Sequence, residues 1–215
     1  MEIQAALARL NSQLPLKARQ DRLPATLKSM HRQVLRSLVT QGRPPSEAEL
    51  KAGLDENNIT AALQRLGAED LVVLDAEGKR PLGAYPVTSE RTPHKITVHG
   101  HSIHAMCALD AVSVAPMFDE DVVIESSCHV SKTPIIIHMH GNDILEVQPG
   151  ADVTIGICWQ MPSAVAAHSM CMQMVFLKDR QTALAWQQGD TENISLFSLP
   201  DAVAFGKAFF LPLLE

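Results

Sequence analysis

The chain has 215 residues, of which 46% are hydrophobic and 20% charged, and its net charge is −6. This balance predicts a globular protein with a substantial core, and the negative charge argues against a nucleic-acid partner. We find neither a secretory pattern at the N-terminus nor a run near the ~20 apolar residues of a membrane span. A cytoplasmic protein without membrane contacts is therefore expected.

The first 90 residues are predicted to form an N-terminal helical domain. Residues 1–24 have the pattern of an amphipathic helix followed by a polar connector, and residues 25–41 carry apolar side chains at helical spacing. Ser46 and Glu49 form a capping-box pattern at the start of a short helix, and another helix is predicted to begin at Asp55. With a hairpin around residues 76–79, this indicates a three-helix domain like a winged helix-turn-helix.

Residues 91–215 are predicted to form an α+β catalytic domain. Strands and helices follow each other without the regular alternation of a parallel α/β fold, which favours a mixed or antiparallel sheet with packed helices. The predicted strands are 94–98, 122–126, 134–140, 144–147, 153–160 and 170–177, and the predicted helices are 103–118, 182–187 and 200–214.

The segment Cys107-Ala108-Leu109-Asp110 carries the most chemical information. Because it falls in the predicted helix 103–118, its thiol and carboxyl, three residues apart, would share one face. A lone cysteine in such a helix most often packs as a small apolar residue. A buried carboxyl is costly unless it is paired or functional, and its pKa should be raised, so Asp110 is predicted to hold and pass on a proton.

The other three cysteines differ in their surroundings. Cys171 lies in a soft, mostly apolar segment, Met170 to Phe176, that has a strand pattern. Cys158 is predicted to be a packing residue in a strand, and Cys128, at a strand end, to be structural. No Cys-x-x-Cys pair occurs, which argues against a structural zinc site and for free thiols in a reducing compartment.

The nine histidines do not form a metal-ligand pattern. His138 and His140 would share a strand face, and His101 and His104 stand at helical spacing. Neither pair has an obvious third ligand, whereas a protein zinc site needs three or four. Zinc or iron catalysis is therefore not predicted.

Several motifs occur together in one order along the chain: Thr92 to Ile96, Cys107 to Asp110, Ser126 to Cys128, Ser169 to Cys171, and Ala204 to Gly206. From about residue 25 to its end, the sequence resembles the organomercurial lyase (alkylmercury lyase) family. This resemblance includes the helical start with its hairpin, which in that family is winged-helix-like but not known for DNA binding.

The resemblance implies a function and a site. Cys107 and Cys171 would be the mercury-binding thiols, and Asp110 would be the proton-handling carboxyl that also lies against the Hg(II) product. The substrate would be an organomercurial, no organic cofactor would be needed, and Hg(II) would pass to a mercuric reductase or to small thiols. Cys128 matches a third family cysteine.

Two residues depart from the family pattern. Met106 stands where the family often has tryptophan, and Met172 follows Cys171 where some members have a second cysteine. These changes could alter substrate range or the handover of product, but they remove no catalytic group.

The chemistry also fits the residues independently. Mercury(II) is soft and prefers thiolate ligands. Two thiolates on R–Hg would push electron density onto the carbon, and Asp110, after accepting a thiol proton, would return it to that carbon.

Two other functions remain open from sequence alone. A thiol-based, metal-responsive winged-helix regulator would use the segment Glu56 to Leu66 for recognition, but its single arginine offers few phosphate contacts. A copper-binding protein could use the sulfur atoms of Met170 to Met174, but it would leave Asp110 without a role.

Overall fold

The computed structural model describes residues 2–52, 59–163 and 165–215. These residues form eight α-helices and eleven β-strands, with short 3-10 turns between some of them. The helices are α1 (Ile3–Gln13), α2 (Leu16–Asp21), α3 (Ala25–Gln41), α4 (Glu47–Ala52), α5 (Ile59–Ala68), α6 (Ala108–Phe118), α7 (Arg180–Gln187) and α8 (Leu199–Phe210). The strands are β1 (Val72–Leu74), β2 (Pro81–Ala84), β3 (Val87–Thr88), β4 (His94–Val98), β5 (His101–Ala105), β6 (Asp121–Ser127), β7 (Pro134–His140), β8 (Asp143–Gln148), β9 (Thr154–Cys158), β10 (Met174–Leu177) and β11 (Ile194–Ser198).

The strands form two sheets, which confirms the predicted α+β class. An eight-stranded sheet has the order β1-β2-β3-β5-β4-β6-β7-β8, and a three-stranded sheet has the order β10-β9-β11. All of the strand pairs among the described residues are antiparallel. The prediction left a mixed and an antiparallel sheet open, and both sheets are antiparallel.

The N-terminal helices agree with the prediction except at the start. Residues 2–24 contain two helices rather than one, because Pro15 lies between α1 and α2. The capping box is present: the Ser46 amide donates to the Glu49 carboxylate at 2.7 Å, and the Glu49 amide donates to the Ser46 hydroxyl at 3.3 Å. The predicted helix start at Asp55 lies outside the described residues, as does the beginning of the segment Glu56 to Leu66.

The predicted boundary after residue 90 falls within one continuous sheet. The hairpin of β1 and β2 continues through β3 to β5, and α3 packs on β2, β3 and β5. The division into domains 1–90 and 91–215 stays a prediction.

Helix α6 lies at the centre of the molecule. All of its residues from Ala108 to Met117 are buried, and it contacts the large sheet, β10 and α8. Gly206 of α8 permits the closest approach, because an added Cβ would lie 2.0 Å from the Ser113 hydroxyl oxygen. Helix α6 is apolar on every face because it has packing partners on several sides.

The predicted helix 103–118 is wrong in its first part. His101–Ala105 is the strand β5, which returns along β4 through a tight turn at His99 and Gly100, both with positive φ. An apolar run cannot by itself distinguish a buried strand from a buried helix. His101 and His104 therefore lie on opposite faces of a strand and not on one face of a helix.

The predicted strand 170–177 is also only half correct. Residues Met170–Gln173 form a 3-10 turn, and the strand begins at Met174. The strand β11 was not predicted. In the described part of the chain, none of the helices has the length and apolar character needed to span a membrane.

Candidate active site

The thiols of Cys107 and Cys171 and the carboxyl of Asp110 converge at one buried place. One ligand atom from each residue lies within 4.8 Å of the other two. The structure brings them together where the N-terminus of α6 meets the 3-10 turn that leads into β10. Within the described ranges, this is the one such group of three or more cysteine, histidine or acidic side chains.

Cys107 lies at the N-cap of α6 rather than inside the helix. Its backbone is extended, and its sulfur accepts a hydrogen bond from the Asp110 amide at 3.3 Å. N-cap residues normally use an oxygen for this contact. The thioether sulfur of Met174, 3.6 Å away, is one of the acceptors within reach of the Cys107 S–H. The local fold therefore fixes the Cys107 sulfur from two sides.

Asp110 occupies the first turn of the same helix, where a carboxylate is favoured by the helix dipole. Burial nevertheless raises the pKa of its carboxyl to about 7, against the lowering effect of hydrogen bonds from Cys107 and Cys171. One carboxyl oxygen, Oδ2, is buried and has no hydrogen-bond partner among the described residues. The raised pKa expected from sequence is confirmed, and one oxygen is available to a proton or a metal ion.

Both thiols are held in the protonated form in the absence of a metal. Burial raises the pKa of Cys107 well above its usual value, and the hydrogen bond with Cys171 and the charge of Asp110 act in the same direction. For Cys171, the hydrogen bond from Cys107 lowers the pKa, but burial and the charges of Asp110 and Asp70 outweigh it. A thiolate must therefore be generated by a base or by a metal that displaces the proton.

A cavity of about 420 Å³ leads to this group from the surface. Cys171 lines it together with Met174 and Phe176, whereas Cys107 and Asp110 are not among its lining residues. His94 also lines the cavity. Burial, then the charge of His104, lowers the pKa of His94 to about 4, so this ring is neutral at pH 7.

The 3-10 turn Ala166–His168, which directly precedes the turn that carries Cys171, is anchored by side chains that were not predicted from the sequence. The hydroxyl of Tyr85 accepts from the Ala167 amide at 2.8 Å and donates to Asp70 at 3.1 Å. Asp70 also accepts from the Ala166 amide at 3.1 Å. In the sequence, Tyr85 stands out only as the single tyrosine of the chain. In the structure it is 1% exposed.

The remaining cysteines lie outside the group of three. The Cys128 sulfur accepts from the Ser131 amide at 3.5 Å, and the Cys128 carbonyl accepts from the Lys132 amide, so this cysteine stabilises the turn before β7. Cys158 ends β9 and is partly exposed. His140 pairs with Asp121 at 3.0 Å on the surface.

Comparisons with known proteins agree with one another. The family model described as alkylmercury lyase matches residues 87–211, which is more than half of the chain. An alkylmercury lyase from Streptomyces lividans is 22% identical over 173 residues, covering 80% of this chain and 78% of that protein. One from Staphylococcus epidermidis is 25% identical over 175 residues, with the same coverage of each chain.

A solved structure has a similar fold. The crystal structure of the mercury-bound form of MerB2 superposes with a TM-score of 0.76 at 19% identity, covering 93% of this chain and 98% of that one.

Proposed function

The chain belongs to the alkylmercury lyase family, and we infer that it is an organomercurial lyase, which cleaves the carbon–mercury bond by protonolysis. An organomercurial R–Hg–X reacts with two thiols to give the hydrocarbon R–H, one Hg(II) held by two thiolates, and HX. The observation that carries the inference is the convergence of two thiols and one carboxyl within 4.8 Å. Neither the regulator nor the copper-binding function needs a carboxyl at that place.

We propose that Cys107 and Cys171 are the two thiolates that bind mercury. Mercury is soft and prefers sulfur, and a metal that binds a thiol displaces its proton. Since Cys171 lines the cavity and Cys107 does not, the first sulfur–mercury bond forms at Cys171. Cys107, fixed at the N-cap of α6, then supplies the second.

Asp110 moves the proton. It accepts the proton that mercury displaces from one thiol and delivers it to the carbon as the carbon–mercury electron pair moves onto that carbon. The other thiol proton leaves as HX. A pKa of about 7 suits this exchange, because a group of that pKa both takes and returns a proton near neutral pH. The oxygen Oδ2, without a protein partner among the described residues, can then contact the Hg(II) product.

The handover and location of the product are proposed on chemical grounds. Hg(II) bound by two thiolates leaves by exchange with other thiols, so a mercuric reductase or a small thiol is the expected acceptor, and no organic cofactor takes part. The thiols of Cys107 and Cys171 are free and close together. They would be at risk of oxidation outside a reducing compartment, which supports a cytoplasmic location.

The N-terminal region is proposed to be winged-helix-like and to have no role in nucleic-acid binding. The helices α3, α4 and α5, followed by the β1–β2 hairpin, support the first point. The net charge of −6 supports the second.

The direct test is methane release from methylmercury by purified variants. Cys107→Ser and Cys171→Ser are each expected to abolish it, while Cys158→Ser, outside the group of three, serves as the matched control and keeps it. Wild-type activity in either of the first two variants would remove that cysteine from the mechanism.

A further inference from the structure

A third sulfur atom lies against the thiol of Cys107. The thioether of Met174 is 3.6 Å from the Cys107 sulfur, and its side chain is 4% exposed. It lines the same cavity as Cys171. Met174 is the first residue of β10, directly after the 3-10 turn that carries Cys171, so its backbone is fixed by pairing with Ile157.

The contact with Met174 indicates where a metal on Cys107 would lie. In the metal-free protein, the Met174 sulfur is one of the acceptors within reach of the Cys107 S–H, beside the Asp110 carboxyl and the Cys171 sulfur. Because the two sulfur atoms are only 3.6 Å apart, a lone pair of the thioether is within reach of a mercury that replaces that proton. A thioether is a soft donor that carries no proton, so it can contact Hg(II) without a further proton transfer.

We propose that Met174 is a third soft ligand of the mercury held by Cys107 and Cys171. The proposal rests on the proposed function and extends its site from two sulfur atoms to three. No bond to carbon or hydrogen is made or broken at Met174, since its sulfur only donates a lone pair to Hg(II). The thioether contact helps to retain Hg(II) after the hydrocarbon has left. Because a neutral thioether binds more weakly than a thiolate, an incoming thiol displaces it.

The test is X-ray absorption at the mercury edge on the full chain labelled with selenomethionine and loaded with one equivalent of Hg(II). A selenium neighbour of mercury is expected in the wild-type chain and in Met139→Leu, a matched control in which an equally buried methionine of β7 is replaced. It is expected to vanish in Met174→Leu. Absence of selenium around mercury in the wild-type chain, which needs no variant to fold, would overturn the proposal, as would its persistence in Met174→Leu.

A second measurement follows Hg(II) transfer to a dithiol chelator. Met174→Leu is expected to release Hg(II) about tenfold faster, because losing even a group that only supports a metal site lowers metal affinity by about tenfold or more. Equal rates in this variant and the wild-type chain would count against a mercury contact. The outcome is separable from the proposed function: if mercury has a selenium neighbour but methylmercury yields no methane, the lyase mechanism fails while the third ligand stands.

Discussion

Replacing Asp110 with asparagine should change how the stability of the protein depends on pH. The carboxyl has a pKa of about 7 in the folded protein and 3.8 as its ordinary value, a difference of about 3 units. Between these values the folded chain keeps a proton that the unfolded chain releases, so stability falls as pH rises from about 4 to about 7. At 1.36 kcal/mol per unit, the wild-type chain loses about 4 kcal/mol across this window.

Asparagine does not titrate, so the Asp110→Asn chain should lack this loss. Urea unfolding of both chains at several pH values between 4 and 8 measures this loss as the difference between their free energies of unfolding. The buried His31 and His94 are common to both chains, so their titrations cancel. The free energy of unfolding of Asp110→Asn minus that of wild type should increase by about 4 kcal/mol from the acid to the alkaline end. A difference that stays constant would show that Asp110 is ionised in the fold, and it would refute the proton-holding role.

Three further outcomes are expected. Tyr85→Phe leaves the Ala167 amide and Asp70 without the hydroxyl that joins them, so we expect the free energy of unfolding in urea to fall by about 1–3 kcal/mol. We also expect kcat/KM for methylmercury to fall by up to roughly 100-fold. Unchanged kinetics would mean that the segment around Cys171 is positioned without the Tyr85 hydroxyl. Gly206→Ala puts a methyl group 2.0 Å from the Ser113 hydroxyl oxygen and should lower the free energy of unfolding by roughly 1–3 kcal/mol, as measured by thermal or urea unfolding. Adding Ser113→Ala to this variant should restore most of the loss, and equal losses in the single and double variants would contradict the contact. Dialysis against a chelator of divalent cations should leave methane release intact, and recovery of a lost activity by one added metal would disprove a site that works through thiols and Asp110 alone.

How far the sequence predicts this site depends on which contacts are local. The capping box at Ser46 and the segment Cys107 to Asp110 are determined by residues three apart, and both are found as local units. The strand β5 and the turn at Cys171 are set by distant partners instead. Residues 101–105 pair with β3 and β4, and the 3-10 turn directly before the one at Cys171 is anchored to Tyr85, 82 residues from Ala167. Periodicity carries no information about such partners, so a buried apolar strand resembles a helix.

In the proposed mechanism, the same burial that destabilises the ionised carboxyl also keeps the two thiols protonated until mercury binds. An ordinary aspartate, with a pKa of 3.8, could not keep a proton taken from a thiol whose ordinary pKa is 9.0. Burial raises the pKa of Asp110 to about 7, yet it also raises those of Cys107 and Cys171, so both protons stay on sulfur while the site is free of metal. Mercury reverses this order because a thiol that binds it loses its proton outright. In the proposed mechanism, Asp110, within 4.8 Å of both sulfur atoms, then takes up that proton, so the proton is held beside the carbon–mercury bond only when substrate is bound.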